Sequence, residues 1–96
     1  MRTSHRHLEV AVFESFVAFV GKYLVERPEE VQVHLDTDES GQENYTLVVA
    51  PDDVGRIIGQ NGRNIKALRT LLMAIATRQG KRVSLDVKES VEETTE

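Results

Sequence analysis

The chain has 96 residues, 40% of them hydrophobic, with 12 Lys and Arg against 16 Asp and Glu and a net charge of −4. That length accommodates one domain with one core. The absence of Cys excludes a disulfide framework, a thiolate metal site and a thiol nucleophile, and no apolar run is long enough to span a bilayer.

Residues 1–7 read as a flexible lead. They are basic, but the apolar stretch behind them is broken by Glu9 and Glu14 and no small-residue cleavage site follows. A secretory signal is therefore not expected, and the cytoplasm is the expected location. Over 8–26 the pattern is helical: Val12, Phe16, Val20 and Tyr23 recur at helical spacing, and Phe13, Val17 and Leu24 form a neighbouring row. Gly21 weakens this helix by about 1 kcal/mol relative to Ala, and Pro28 stops it.

Residues 31–35 alternate apolar and polar, the pattern of a half-buried strand. A polar connection containing Gly41 leads into a second strand over 45–49, richer in β-branched residues and so expected nearer the centre of a sheet. Pro51 ends it. Asp52 or Asp53 can cap a short helix over 54–58, placing a carboxylate at its positive end. Gly59-Gln60-Asn61-Gly62 interrupts the helical pattern, which resumes over 63–78 with Ile65, Leu68, Leu72, Ile75 and Ala76 as its apolar face. After Gly80, residues 83–87 alternate as a third strand. The domain is expected to fill 8–88, with 89–96 a disordered acidic tail. The fold class is α+β: α-β-β-α-α-β, a three-stranded mixed sheet covered on one face by three helices, with the last two strands parallel because a helical crossover joins them.

Charge is unevenly spread. Residues 54–85 hold Arg56, Arg63, Lys66, Arg69, Arg78, Lys81 and Arg82 and no acid, so this segment carries +7 and the remainder, 5 basic against 16 acidic groups, carries −11. A local basic segment is a better electrostatic footprint for a nucleic acid than the overall balance. At its head lies Val54-Gly55-Arg56-Ile57-Ile58-Gly59-Gln60-Asn61-Gly62-Arg63-Asn64-Ile65. Gly59 lets the chain leave the first helix, and Gly62 opens the second without a Cβ, so another backbone can come close. The first amides of the second helix lack internal partners and sit at the positive end of its dipole, a ready phosphate site. Arg56, Arg63 and Lys66 flank that site. Val54, Ile57, Ile58 and Ile65 are expected to form an apolar floor for unpaired bases.

A Gly-x-x-Gly placed as Ile-Ile-Gly-x-x-Gly-Arg, between a short and a long helix, after two strands and before a third, resembles the KH family, whose loop clamps single-stranded nucleic acid. The element order resembles the type II arrangement. Ala50-Pro51-Asp52-Asp53-Val54-Gly55 and Lys66-Ala67-Leu68-Arg69-Thr70-Leu71-Leu72 resemble the KhpA family of small bacterial single-domain KH proteins, the specific match covering 50–87. The resemblance implies cytoplasmic binding of single-stranded RNA, as a post-transcriptional regulator or RNA chaperone. It also implies self-association, pairing with a larger multidomain KH protein, and a link to cell elongation and division. The middle of the loop departs from the family: Gln60 and Asn61 stand where Lys or Arg is usual, and they can hydrogen-bond but add no charge.

No cofactor, metal or catalytic role is expected. His5 and His7 lack a third ligand, and no nucleophile–base pair can be argued. The competing expectation is an adaptor in which the fold is a dimerisation or protein-contact surface and RNA binding is weak or absent. Phe13, Phe16, Phe19 and Tyr23 on the first helix, with Leu71 and Met73 on the long one, exceed what one sheet face needs. They point to a homodimer, expected to meet around the Gly-x-x-Gly loop.

Overall fold

A computed structural model of the chain describes residues 3–91, with side chains from residue 11 onward. The order is α1 (Thr3–Leu24), β1 (Gln32–Thr37), β2 (Glu43–Val49), α2 (Val54–Ile58), α3 (Arg63–Arg78) and β3 (Val83–Glu89). This is the expected α-β-β-α-α-β order. β2 is central: β1 pairs with it antiparallel, with Leu35 opposite Tyr45, and β3 pairs with it parallel, with Leu85 opposite Tyr45.

The boundaries differ at both ends. α1 begins at Thr3, ahead of its apolar stripe; a helix extends past such a stripe because each added residue adds a bond once the turn exists. β3 runs to Glu89, and the amide of Ser90 donates to the carbonyl of Val49 (2.8 Å), carrying the ordered chain past the boundary expected at 88. Residues 1–2 of the expected lead and 92–96 of the expected tail lie outside the described residues.

β2 buries every second residue, Glu43, Tyr45, Leu47 and Val49, against the helical layer. That layer supplies Phe13 and Val17 from α1, Ile57 from α2, and Ile65, Leu68, Leu72 and Ala76 from α3. Burying each large apolar side chain contributes about 1.5–3 kcal/mol. Of the two apolar rows on α1, the one containing Phe13 and Val17 faces the sheet. Phe13 packs on Tyr45 with ring centroids 5.7 Å apart. Gly21 brings the helix so close that a Cβ there would lie 3.2 Å from Leu47 Cδ1. Phe16, Val20 and Leu24 flank this contact, while Val12, Phe19 and Tyr23 are 58%, 60% and 77% exposed. A helix buries only an arc of its circumference, so Val12, Phe19 and Tyr23 are left outside while Phe16 and Val20 lie at the margin. Phe13 is therefore core and no part of a surplus surface. Ile75, expected in the core of α3, lies at its margin, and Ala76 fills the inward position.

Two acids are buried among the described residues. The Asp53 carboxylate accepts the amides of Glu26 (3.0 Å) and Arg27 (3.1 Å), and Arg56 Nε lies 3.5 Å from it. It makes no side-chain cap on α2, contrary to the expected helix cap; it fastens the chain leaving α1 to the start of α2. Glu43 is paired with Lys81 Nζ at 3.4 Å and receives the Tyr45 hydroxyl at 3.4 Å; the ammonium also lies 5.4 Å from the centre of the Phe13 ring.

Candidate nucleic-acid interface

α2 ends where the amide of Gly59 donates to the carbonyl of Gly55 (2.8 Å) and the chain turns away at φ 78°, ψ 170°. Two constraints meet at Gly59. Its backbone conformation is one that residues with a Cβ avoid. A Cβ there would also lie 2.7 Å from Asn64 Cγ and 2.9 Å from the Asn64 backbone nitrogen. Asn64 fills this position because its side-chain amide donates to the carbonyl of Arg56 (3.0 Å). In a continuing helix the amide of Gln60 would take that carbonyl. With Asn64 in its place, the amides of Gln60 and Asn61 donate to no other group among the described residues.

The rest of the turn is closed by the Gly62 amide on the Gly59 carbonyl (3.0 Å) and the Arg63 amide on the Gln60 carbonyl. Asn61 (φ 58°) and Gly62 (φ 72°) are both left-handed, a region that Asn tolerates better than most residues. Nothing lies within 4 Å of a Cβ built on Gly62, so the space above the loop is open. α3 then starts with no side-chain cap, its positive end facing the same space.

The expected site residues divide into two groups. Gly59, Gln60, Asn61, Gly62, Arg63 and Lys66 come together around the loop, and Arg63 and Lys66 are exposed and carry no ion pair among the described residues. Arg56 points the other way, bound to Glu26 (3.1 Å) and to Asp53; it braces α2 and is not a free cation. Lys81 is likewise withdrawn from the basic footprint by Glu43. The expected apolar floor also splits: Ile57 and Ile65 are buried in the core, Val54 is half-buried, and Ile58, 38% exposed, is the isoleucine left at the surface.

Sequence reasoning missed the apolar surface that the fold does provide. A cleft of about 240 Å³ runs between α3 and the edge strand β3, walled by Leu72, Met73, Val83 and Leu85. Arg69 bridges it, donating from Nε to the Leu85 carbonyl (2.9 Å) and lying 3.4 Å from Asp86 Oδ1. The signal was present as the i, i+3, i+7 row Lys66, Arg69, Met73, but the strand it faces is decided by the sheet order.

Two parallel strands joined by a short helix, a Gly-x-x-Gly turn and a long helix, with a first helix and strand completing the layer, define a KH domain of the type II arrangement. A family model for the KhpA/KhpB KH domain matches residues 14–87. The chain is 46% identical over 76 residues to the RNA-binding protein KhpA of Chlamydia pneumoniae, an overlap covering 79% of this chain and 96% of that one. It is 46% identical over 77 residues to the RNA-binding protein KhpA of Oceanobacillus iheyensis (80% and 96%), and 42% identical over 78 residues to that of Treponema pallidum (81% and 96%). The chain belongs to the KhpA/KhpB KH-domain family. No solved structure matches it significantly. Among the described residues no helix is long and apolar enough to cross a membrane.

Proposed function

We propose that this chain binds short single-stranded RNA, holding a phosphate on the loop and laying bases into the cleft beside α3. The observation that carries the reading is the pair of amides at Gln60 and Asn61, unpartnered among the described residues and set beside Arg63, Lys66 and the uncapped start of α3. Neutral amides at a helix N-terminus bind an anion without a charged residue in the loop, which explains how Gln60 and Asn61 serve where Lys or Arg is usual. The cleft is narrow and apolar-walled, so bases must be unstacked to enter it, and duplex RNA is a poor ligand. The matched relatives are named RNA-binding proteins.

On family resemblance the same proposal extends to a cytoplasmic post-transcriptional regulator or RNA chaperone linked to cell elongation and division, acting as a homodimer or paired with a larger multidomain KH protein. The exposed row Val12, Phe19 and Tyr23 on α1, where Phe19 and Tyr23 stack edge to face at 4.9 Å, supports a protein contact alongside RNA binding. Sedimentation across a concentration series tests the homodimer, which a monomer at high concentration refutes.

The decisive experiment is an anisotropy titration with a random single-stranded RNA pool, with duplex RNA as competitor. It is repeated on Gln60→Asp/Asn61→Asp, which places two carboxylates at the phosphate site; Asp tolerates the left-handed conformation of position 61. The wild type saturates, duplex competes poorly, and the folded double variant loses at least about tenfold in affinity, the cost of removing one charge-assisted contact. Unchanged affinity in the folded double variant rules out the loop as the grip. A wild type that binds no RNA leaves the adaptor reading.

A further inference from the structure

We propose that Arg69 and Asp86 form a base-reading pair that gives the cleft a preference for guanine, with Arg69 as the specificity-determining residue. This rests on the RNA-binding reading above and concerns which base the cleft accepts.

Lys66, Arg69 and Met73 lie on one stripe of α3, and the bond from Arg69 to Leu85 aims that stripe at the free edge of β3. Arg69 stands six positions beyond Arg63, about 9 Å along the helix axis, or one to two nucleotides from the loop. A nucleotide whose phosphate rests on the loop therefore delivers a neighbouring base to the cleft. The volume of about 240 Å³ accommodates one base, and Leu72, Met73 and Val83 supply an apolar wall for its face.

The polar groups at the mouth then read its edge. A guanidinium carries five N–H donors. Arg69 uses Nε–H on the Leu85 carbonyl and one terminal N–H toward Asp86, and its side chain is 47% exposed, leaving the remaining donors at the opening. The Asp86 side chain is 73% exposed and keeps its second oxygen as an acceptor. The cleft thus presents donors beside an acceptor. Guanine matches this with O6 and N7 as acceptors and N1–H and N2–H as donors. Adenine and cytosine bring an amino group to the position of the guanidinium, donor against donor, and uracil brings O4 and N3–H, a single acceptor for the fork where guanine brings two. The carbonyl of Leu85, which such an amino group would need on the strand edge, is already occupied by Arg69.

The test uses single-stranded eight-mers of alternating A and C with a central G, A, C or U, titrated by anisotropy against the wild type, Arg69→Met and Arg69→Lys, each checked by far-ultraviolet circular dichroism. The wild type binds the G-bearing strand about tenfold more tightly than the A- or C-bearing strands. In Arg69→Met the freed Leu85 carbonyl accepts amino groups, and the preference falls to about twofold or reverses. Arg69→Lys keeps the charge but not the planar fork, so it retains affinity and loses the preference; it decides the matter if the Met variant does not fold. Equal wild-type affinity for all four strands overturns the proposal, as does a G preference that survives in Arg69→Lys or a uniform loss in Arg69→Met with the order unchanged. Absence of binding to every strand overturns the RNA-binding reading itself, and this proposal with it.

Discussion

Substituting alanine at Gly59 places a Cβ 2.7 Å from Asn64 Cγ and 2.9 Å from its backbone nitrogen, on a residue held at φ 78° and ψ 170°. Holding a side-chain-bearing residue in that region costs about 1–3 kcal/mol. The contacts add to it. The Asn64 side chain can swing aside only by giving up its bond to the Arg56 carbonyl, about 1 kcal/mol, and its backbone nitrogen can retreat only if the first turn of α3 moves. Gly59→Ala is therefore expected to lose about 2–5 kcal/mol, a large share of the 5–15 kcal/mol that holds a small domain together. Gly62→Ala meets no atom within 4 Å and carries only the left-handed conformation at φ 72°, about 1–2 kcal/mol. Urea unfolding followed by circular dichroism on both variants measures the difference, expected at about 1–3 kcal/mol with Gly59→Ala the weaker protein. Equal losses, or a larger loss at Gly62, would refute the argument that Asn64 and the extended turn make the first glycine the stricter one.

Asp53→Ala leaves the amides of Glu26 and Arg27 without their acceptor and should cost about 2–4 kcal/mol in the same urea assay; a loss under about 0.5 kcal/mol would show that water replaces the carboxylate freely. Burial, with the charge of Glu43 second, holds the Tyr45 phenol above its ordinary range. Its folded pKa exceeds its unfolded value, so the contribution is whole below about pH 10 and lost as pH rises further, because the unfolded chain releases the proton first. Thermal melts of the wild type should fall more steeply above that pH than those of Tyr45→Phe, and parallel curves count against the assignment. With Arg56 and Lys81 paired to carboxylates, RNA affinity should fall with salt at a log–log slope of about −1.5 to −2, the value for two or three phosphates on a single strand. A slope near −5 would mean that the paired cations are recruited after all.

The order of the elements, the centrality of β2 and the position of the loop were legible before any packing was known. These rest on local signals: alternation over 45–49, helical spacing over 63–78, and two glycines between them, each set by residues a few positions apart. The sequence also marked Gly59 and Gly62 as a pair, but not that they are unequal, because the difference comes from Asn64 folding back over the turn. Periodicity says which residues share a face of a helix and not which of two apolar faces meets a sheet. Only packing against Tyr45 and Leu47 decided that Phe13 and Val17 go inward while Phe19 and Tyr23 stay out. The charge count had the same limit. Lys81 and Glu43 are 38 positions apart, Arg69 and Asp86 are 17 apart, and Arg56 reaches Glu26 across the turn after α1, so three of the seven basic residues are paired with carboxylates that no local pattern connects to them. The cleft is the plainest case: its walls come from α3 and β3, and Arg69 finds the Leu85 carbonyl only because the crossover lays β3 at the sheet edge beside α3, with that carbonyl within reach of the helix.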